Sequence, residues 1–327
     1  MMGYNWGLIG TGVIAKEMAA ALRAVNGEIY GVCSGRPNSA KTFAETHGVS
    51  HVFTDADELL ADPKLDIAYI ATPHNLHYEL LLKAIRSGKH VFCEKAITVN
   101  EKQLEEVVAL AREKNVAVME GMTLYHMPLY KKLREIVVSG TIGKVKMVQV
   151  NFGSCKEYDV NNRFFSKELA GGALLDIGVY AVSFARFFLE KKPNVVLTTP
   201  QYFETGVDEQ SGILMKNDCG QMAVTALTMR AKQPKRGVVA GEKGFIEVSN
   251  YPRADKAAIT YTADGHTEEI ALGETAKALE YEVADMQAYV ADRTEGETLG
   301  WTRDVTSLLS EIRNQWGMIY PFERSPA

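Results

Sequence analysis

Up to residue 120 the chain alternates short apolar runs with longer stretches of helical periodicity. The runs are WGLIG at 6–10, IYGVCS at 29–34, IAYIAT at 67–72, HVFCEK at 90–95 and VAVME at 116–120. In NLHYELLLKAIRSGKH, Leu76, Leu80, Leu81 and Ile85 recur at helical spacing, and Gly88 stops the helix. Continuous apolar strands joined by crossover helices predict a parallel, doubly wound sheet, since a strand covered on both faces has no polar side to alternate with.

After TIGKVKMVQVNFG at 141–153 the pattern changes. VVLTTPQYFETG, SGILMKNDCGQMAVTALTMR, GVVAGEKGFIEVSN and AAITYTADGHTEEIAL alternate polar and apolar positions and are separated by D-C-G, E-K-G and A-D-G turns. Such alternation predicts a mostly antiparallel open sheet with one covered face. A helix is expected at 174–189, ahead of this sheet, and two terminal helices at 276–293 and 302–316.

A chain of 327 residues suits two domains. Nearly half its residues are apolar and about a quarter charged, with no run of eighteen apolar residues. MMGYNWGLIGTG has no basic residue before Lys16 and runs directly into a strand, so it does not read as a signal peptide, and a cytoplasmic protein is expected. Cys33, Cys93, Cys155 and Cys219 show no CxxC spacing and are read as buried, reduced thiols. The net charge is -5, with Lys and Arg spread along the chain, which argues against nucleic acid as a partner. No membrane partner is expected either.

The first strand leads into LIGTGVIAKEMAAAL, where Gly10, Thr11, Gly12, Val13, Ile14 and Ala15 form a G-x-G-x-x-A turn opening a helix. Gly10 permits the tight turn, Gly12 lets backbone approach a pyrophosphate, and Ala15 lets helix pack on strand. The helix start offers free N–H groups to the phosphates. An NAD-type ribose contact calls for an acid at the end of the second strand, yet none occurs between Glu28 and Glu45. CSGRPNSAK stands there instead, with Ser34 and Arg36 suited to a 2′-phosphate and Gly35 leaving room. NADP is the expected cofactor and NAD the alternative.

Ligands of such sheets bind off the carboxyl ends of strands. Thr72, Pro73, Asn75 and His77 of TPHNLH, and Glu94 and Lys95 of CEKA, are therefore expected to border the cofactor. Position alone leaves Lys95 either a cation at the cleft floor or a lysine closing a surface strand. In AGGALLDIGVYA, Asp176 and Tyr180 lie one helical turn apart behind Gly171 and Gly172, which would let backbone approach a ligand. By themselves they read rather as a helix cap and a half-buried core ring. Arg163 and His74 are further candidates for the cleft. His47, His51, His90 and His266 read as surface or structural, and no HExxH spacing suggests a metal.

Taken in order, the G-x-G-x-x-A start, TPHNLH, CEKA and GGALLDIGVY resemble the Gfo/Idh/MocA family of nicotinamide-dependent sugar and polyol oxidoreductases over nearly the whole chain. Tyrosine at the end of LDIGVY, where many members have histidine, is similar to the branch of glucose–fructose oxidoreductase, dimeric dihydrodiol dehydrogenase and NADP-linked xylose dehydrogenase. The resemblance implies an α/β architecture: a Rossmann dinucleotide-binding domain at 1–121, then a substrate-binding and oligomerisation α+β domain at 122–327 whose open sheet packs against another subunit, giving a homo-oligomer, dimer or tetramer. It places the E-K-P lysine on Lys95, the second-domain aspartate on Asp176 and the acid/base residue on Tyr180. Two positions depart from the pattern. Ala96 replaces the proline of E-K-P, leaving the conformation of that peptide open, and Tyr125 stands where related members often carry a substrate-contacting arginine.

Hydride transfer to or from a carbonyl needs one proton moved at the substrate oxygen. A phenol, with an ordinary pKa near 10, serves at neutral pH only beside a cation, the part that Lys95 would take. Asp176 would accept hydrogen bonds from substrate hydroxyls or hold Lys95 in place, and Arg163 would contact substrate. An NAD-linked, inositol-type polyol dehydrogenase and a non-catalytic dinucleotide sensor are the competing readings. A sensor would need neither Lys95 nor Tyr180.

Overall fold

The computed structural model describes residues 3–292 and 296–323. Its first strand, β1 (Asn5–Ile9), leads through α1 (Val13–Ala24) to β2 (Glu28–Cys33), then α2 (Pro37–His47), β3 (His51–Val52), α3 (Ala56–Ala61), β4 (Ile67–Ile70), α4 (His77–Arg86), β5 (His90–Glu94), α5 (Glu101–Lys114) and β6 (Val118–Gly121). The strands form one parallel sheet in the order β3-β2-β1-β4-β5-β6. The chain winds outward from β1 in one direction and then returns to wind in the other, so the strand order reverses between β1 and β4. Ile67, Ala68, Tyr69 and Ile70 of β4 are all fully buried, which is why this run carried no polar alternation. α5 covers the sheet with Leu104, Val107, Val108 and Ala111, capped by the Asn100 side chain, which accepts from Gln103 N at 2.9 Å. Cutting Leu104 back to alanine would cost roughly 2–5 kcal/mol.

The second sheet begins after α6 (Pro128–Val138) with β7 (Val145–Gly153). α7 (Val179–Phe188) follows, then β8 (Val195–Tyr202), β9 (Asp208–Lys216), β10 (Met222–Thr228), β11 (Gln233–Gly241), β12 (Gly244–Ser249), β13 (Lys256–Tyr261) and β14 (Thr267–Ala271). The order is β14-β13-β12-β11-β7-β10-β9-β8, and neighbours are antiparallel except β7 with β10. Pro200, which cannot donate to a ladder, lies in the edge strand β8. α7 packs across β7, β10 and β11. A Cβ on Gly237 would sit 2.3 Å from the Phe184 ring, so glycine is what brings this helix down onto β11. Lys167–Phe188 is apolar enough in composition to span a membrane, but 83% of its apolar window is buried, as in a core helix. On the opposite face the register aligns Leu197, Leu214 and Val224 across three strands, and Leu197 is 60% and Val224 40% exposed.

Two helices follow the second sheet, α8 (Ala278–Asp292) and α9 (Glu297–Gln315). The chain forms two compact units, Met1–Gly121 with Ala276–Gly300, and Met122–Thr275 with Trp301–Ala327. The boundary expected at 121 assigns all of 122–327 to the second domain. Instead α8 packs on α1, and Leu299 joins the core formed by Leu104, Val107 and Val108. Burial of these apolar faces returns the segment to the first unit, a relation that helical periodicity does not reveal.

Candidate active site

In the first unit, the turn after β1 is held at both sides: Gly10 N donates to Cys33 O at 2.9 Å and Ala71 N to Ile9 O at 2.9 Å. Gly10 has φ +112°, and a Cβ there would lie 2.4 Å from Ala71 O, so no side chain fits. Nothing lies within 4 Å of a Cβ built on Gly12. That glycine keeps an approach open over the start of α1, which has no side-chain cap and no acid in its first turn. Its N–H groups are therefore available to an anion. Ala15 is fully buried against the sheet, whereas Val13 is 75% exposed beside the turn and Ile14 half-buried.

At the end of β2, Thr11 Oγ1 lies 3.4 Å from Ser34 Oγ and 2.6 Å from Ser39 Oγ, and Arg36 N donates to Ser34 Oγ at 3.3 Å. The Arg36 side chain is exposed at the start of α2 and has no hydrogen bond or ion pair among the described residues. Three hydroxyls, a helix start and a guanidinium together suit a phosphate dianion. Ser39 was not singled out from the sequence, although it lies in the same CSGRPNSAK stretch.

Side chains tie the ends of β4, β5 and β6 together. His74 Nε2 lies 3.2 Å from Lys95 O, Ile97 N donates to Glu120 Oε1 at 3.0 Å, and Tyr69 Oη donates to Glu94 Oε1 at 2.5 Å. His77 was expected on the cofactor. It is instead fully buried, with Nδ1 3.0 Å from Ala96 O and Nε2 2.9 Å from Thr72 O, so it ties one strand end to the other. The Lys95–Ala96 peptide is cis although alanine follows the lysine. Thr72 Oγ1 and Asn75 Oδ1 are buried and have no hydrogen-bond partner among the described residues. Such orphaned groups are rare unless a ligand completes them. The Gly10–Gly12 turn, the uncapped α1 and these two side chains fit a dinucleotide.

In the second unit the segment expected as one helix starts as a wider turn. Leu174–Gly178 is π-helical and α7 follows. Asp176 lies in the wide turn and Tyr180 in the α-helix, a form of helix interruption common at functional sites. Asp176 is buried, with Oδ2 3.4 Å from Lys156 Nζ and Oδ1 3.9 Å from Arg163 Nη2. Arg163 thus comes to Asp176 as well as being a candidate in its own right. Lys156 was missed, because nothing in KEY at 156–158 marks it out. Tyr180 is half-buried, its ring 6.1 Å from that of Phe152.

The two glycines ahead of Asp176 have a different use from the expected one. A Cβ on Gly171 would come within 2.6 Å of Arg163 O, and one on Gly172, at φ +114°, within 2.2 Å of Asp208 Oδ1. They admit the protein's own groups rather than a ligand. Asp208 is fully buried and its Oδ2 accepts from Leu174 N at 2.7 Å, so it caps the segment that carries Asp176 and Tyr180. Burial pushes its carboxyl up to about 7, against the opposing pull of the Leu174, Asp208 and Ala173 amides and the Arg313 charge.

Residues 4–122 match a family model described as an oxidoreductase family with an NAD-binding Rossmann fold, and residues 130–247 match the GFO/IDH/MocA C-terminal domain. The chain belongs to the Gfo/Idh/MocA oxidoreductase family. Similar family members include the trans-1,2-dihydrobenzene-1,2-diol dehydrogenase of Xenopus laevis, 29% identical over 98% of this chain and 100% of the relative. The Mus musculus enzyme of that name is 31% identical over 76% of this chain and 75% of its own. A 3-ketoreductase from Actinomadura kijaniata, solved with NADP and TDP-benzene, superposes with TM-score 0.85 at 25% identity, covering 96% of this chain and 98% of that one. A levoglucosan dehydrogenase solved with NADH and levoglucosan shares the fold with TM-score 0.88 at 19% identity, over 98% and 100% of the two chains.

Within this Gfo/Idh/MocA chain, Tyr125 is a buried core ring, 5.9 Å from Phe187 and 5.2 Å from Trp301. The thiols divide: Cys33 and Cys93 are buried, but Cys155 and Cys219 are exposed, contrary to the expectation for all four. Cys155 follows the end of β7 and Cys219 lies in the turn before β10, where no strand face covers them.

Proposed function

We propose that this oxidoreductase favours NADP and moves a hydride between the nicotinamide and a sugar, polyol or related hydroxy-carbonyl compound, with Tyr180 as acid/base. The observation that carries the cofactor part is the anion site at the end of β2, where Thr11, Ser34 and Ser39 hydroxyls gather beside the exposed Arg36 and no acid stands to meet a ribose hydroxyl. Similarity to a ketoreductase solved with NADP supports it.

When bound, the nicotinamide supplies the hydride donor or acceptor. Tyr180 takes the proton from the substrate hydroxyl in oxidation and returns it in reduction. Lys95 is the cation we assign to stabilise the phenolate, since positive charge favours the ionised form of a phenol. Asp176, its carboxylate already oriented by Lys156 and Arg163, accepts a hydrogen bond from a second substrate hydroxyl and so fixes which carbon reacts. Thr72 and Asn75 complete their hydrogen bonding on the cofactor. A cytoplasmic location and a homo-oligomer formed through the exposed Leu197–Leu214–Val224 row belong to the same reading.

Turnover of a panel of sugars, polyols and diols with NADP+ and with NAD+, followed by reduced-nicotinamide absorbance, tests it. NADP+ is expected to give the larger kcat/KM. Arg36→Ala should weaken NADP+ binding by roughly tenfold or more while leaving NAD+ nearly unaffected. Equal effects on the two cofactors contradict the 2′-phosphate role, and tight cofactor binding without turnover of any panel member favours a sensor.

A further inference from the structure

β11 pairs with β7 in regular register except at two places, between Ala240 and Gly241 and, nearer Tyr180's neighbour Phe152, between Gln233 and Arg236. Gln233 is opposite Gly153 and Arg236 opposite Asn151, so Pro234 and Lys235 together face the single residue Phe152. This is a β-bulge, a device that re-aims a side chain, and the proline cannot restore the ladder bond. Lys235 Nζ is consequently placed over the Phe152 ring, 4.8 Å from its centroid, and the Phe152 ring is the one that packs against Tyr180.

The charge around this ammonium is unbalanced. Lys235 is half-buried, and its ammonium has no carboxylate or hydrogen-bond partner among the described residues. Burial lowers its pKa first, and the charges that act on it next, Lys232, Lys156 and Arg253, are all positive and lower it further. Asp176 does not relieve this, since Lys156 and Arg163 already hold it. A partly buried ammonium set among other cations is unfavourable until an anion reaches it. A cation–π contact with Phe152 orients the group without neutralising it.

We infer that the substrate carries an oxyanion, a carboxylate or a phosphate, and that Lys235 is the residue that binds it. This rests on the reading of Tyr180 as the group at the reacting carbon. Phe152 then sets the spacing: the anion lies one aromatic ring away from the hydroxyl that loses its proton. Lys232 and Arg253 add to the attraction, and Asp176 remains free of the anion because its own two cations screen it.

Two measurements on the full-length protein saturated with NADP+ test this. In the first, inorganic phosphate is titrated calorimetrically into wild type and Lys235→Gln, with NADP+ affinity as the check on folding. Wild type should bind phosphate, and the variant should bind it roughly tenfold or more weakly. No phosphate binding by wild type, or equal affinity in the two proteins, overturns the inference. The second compares kcat/KM for D-glucose, D-glucuronate and D-glucose 6-phosphate. Wild type should prefer one of the two anions, identifying carboxylate or phosphate, and Lys235→Gln should lose more on that anion than on glucose by at least about tenfold. A wild-type preference for glucose, or equal losses on all three, overturns it and points to Lys235 acting on Tyr180 instead. A weakened phosphate site combined with a fully active Tyr180→Phe protein is the separate signature of a wrong acid/base assignment.

Discussion

Asp208 gives a stability prediction whose size follows from its surroundings. The carboxyl has an ordinary value of 3.8 in the unfolded chain and is pushed up to about 7 in the fold, by burial first. The folded protein therefore holds its proton more tightly than the unfolded chain does. The stability from this linkage is present in full below the unfolded value and is lost as pH rises through the folded one. Across pH 5 to 8 about two pH units of linkage are given up, or ~2.5 kcal/mol. Asp208→Asn keeps the shape and an oxygen for Leu174 N but cannot ionise. Urea unfolding of wild type and variant, without cofactor, at several pH values across this range gives the difference directly. Groups common to both proteins cancel, including His47, whose value is lowered chiefly by burial and then by Arg23 and Lys16. The variant should gain on wild type by about 2.5 kcal/mol between pH 5 and 8. A difference that stays flat with pH would refute the account of Asp208 as a buried acid capping the Leu174 segment.

Other perturbations test separate parts of the molecule. Gly10→Ala places a methyl 2.4 Å from Ala71 O at a φ of +112°, so dinucleotide affinity measured by fluorescence titration should fall by roughly tenfold or more, and unchanged affinity would mean the turn is not the phosphate cradle. Leu197→Glu combined with Leu214→Glu should lower the mass measured by light scattering if the exposed row of the second sheet joins subunits, and an unaltered mass rules that face out.

The parallel sheet was legible because its strands are buried on both sides and so appear as unbroken apolar runs. β3 was not, for the opposite reason: His51–Val52 is two residues long and exposed, too short for any period to register. The destination of α8 was hidden as well, since a helix with a buried face does not say which surface it is buried against. At the candidate site, Gly10, Gly12, Lys95, Asp176 and Tyr180 stood out through the motifs that contain them. The roles of Gly171, Gly172 and His77 did not, because each depends on a partner far along the chain: Phe164 and Arg163 backbone, the Asp208 carboxylate, and the Ala96 and Thr72 carbonyls. Lys156 and Lys235 carry no motif and gain meaning only from the side chains beside them, Asp176 and Phe152.

The proton transfer assigned to Tyr180 is the claim on which the functional account depends. Its direct measurement is the single-turnover rate of hydride transfer in Tyr180→Phe, alongside NADP+ affinity and the pH profile of wild type. Removing one phenolic oxygen should leave cofactor affinity within about twofold and slow hydride transfer by roughly 10²–10⁴, with loss of the profile limb that reports the phenol. Turnover at the wild-type rate with cofactor still bound would show that another group moves the proton.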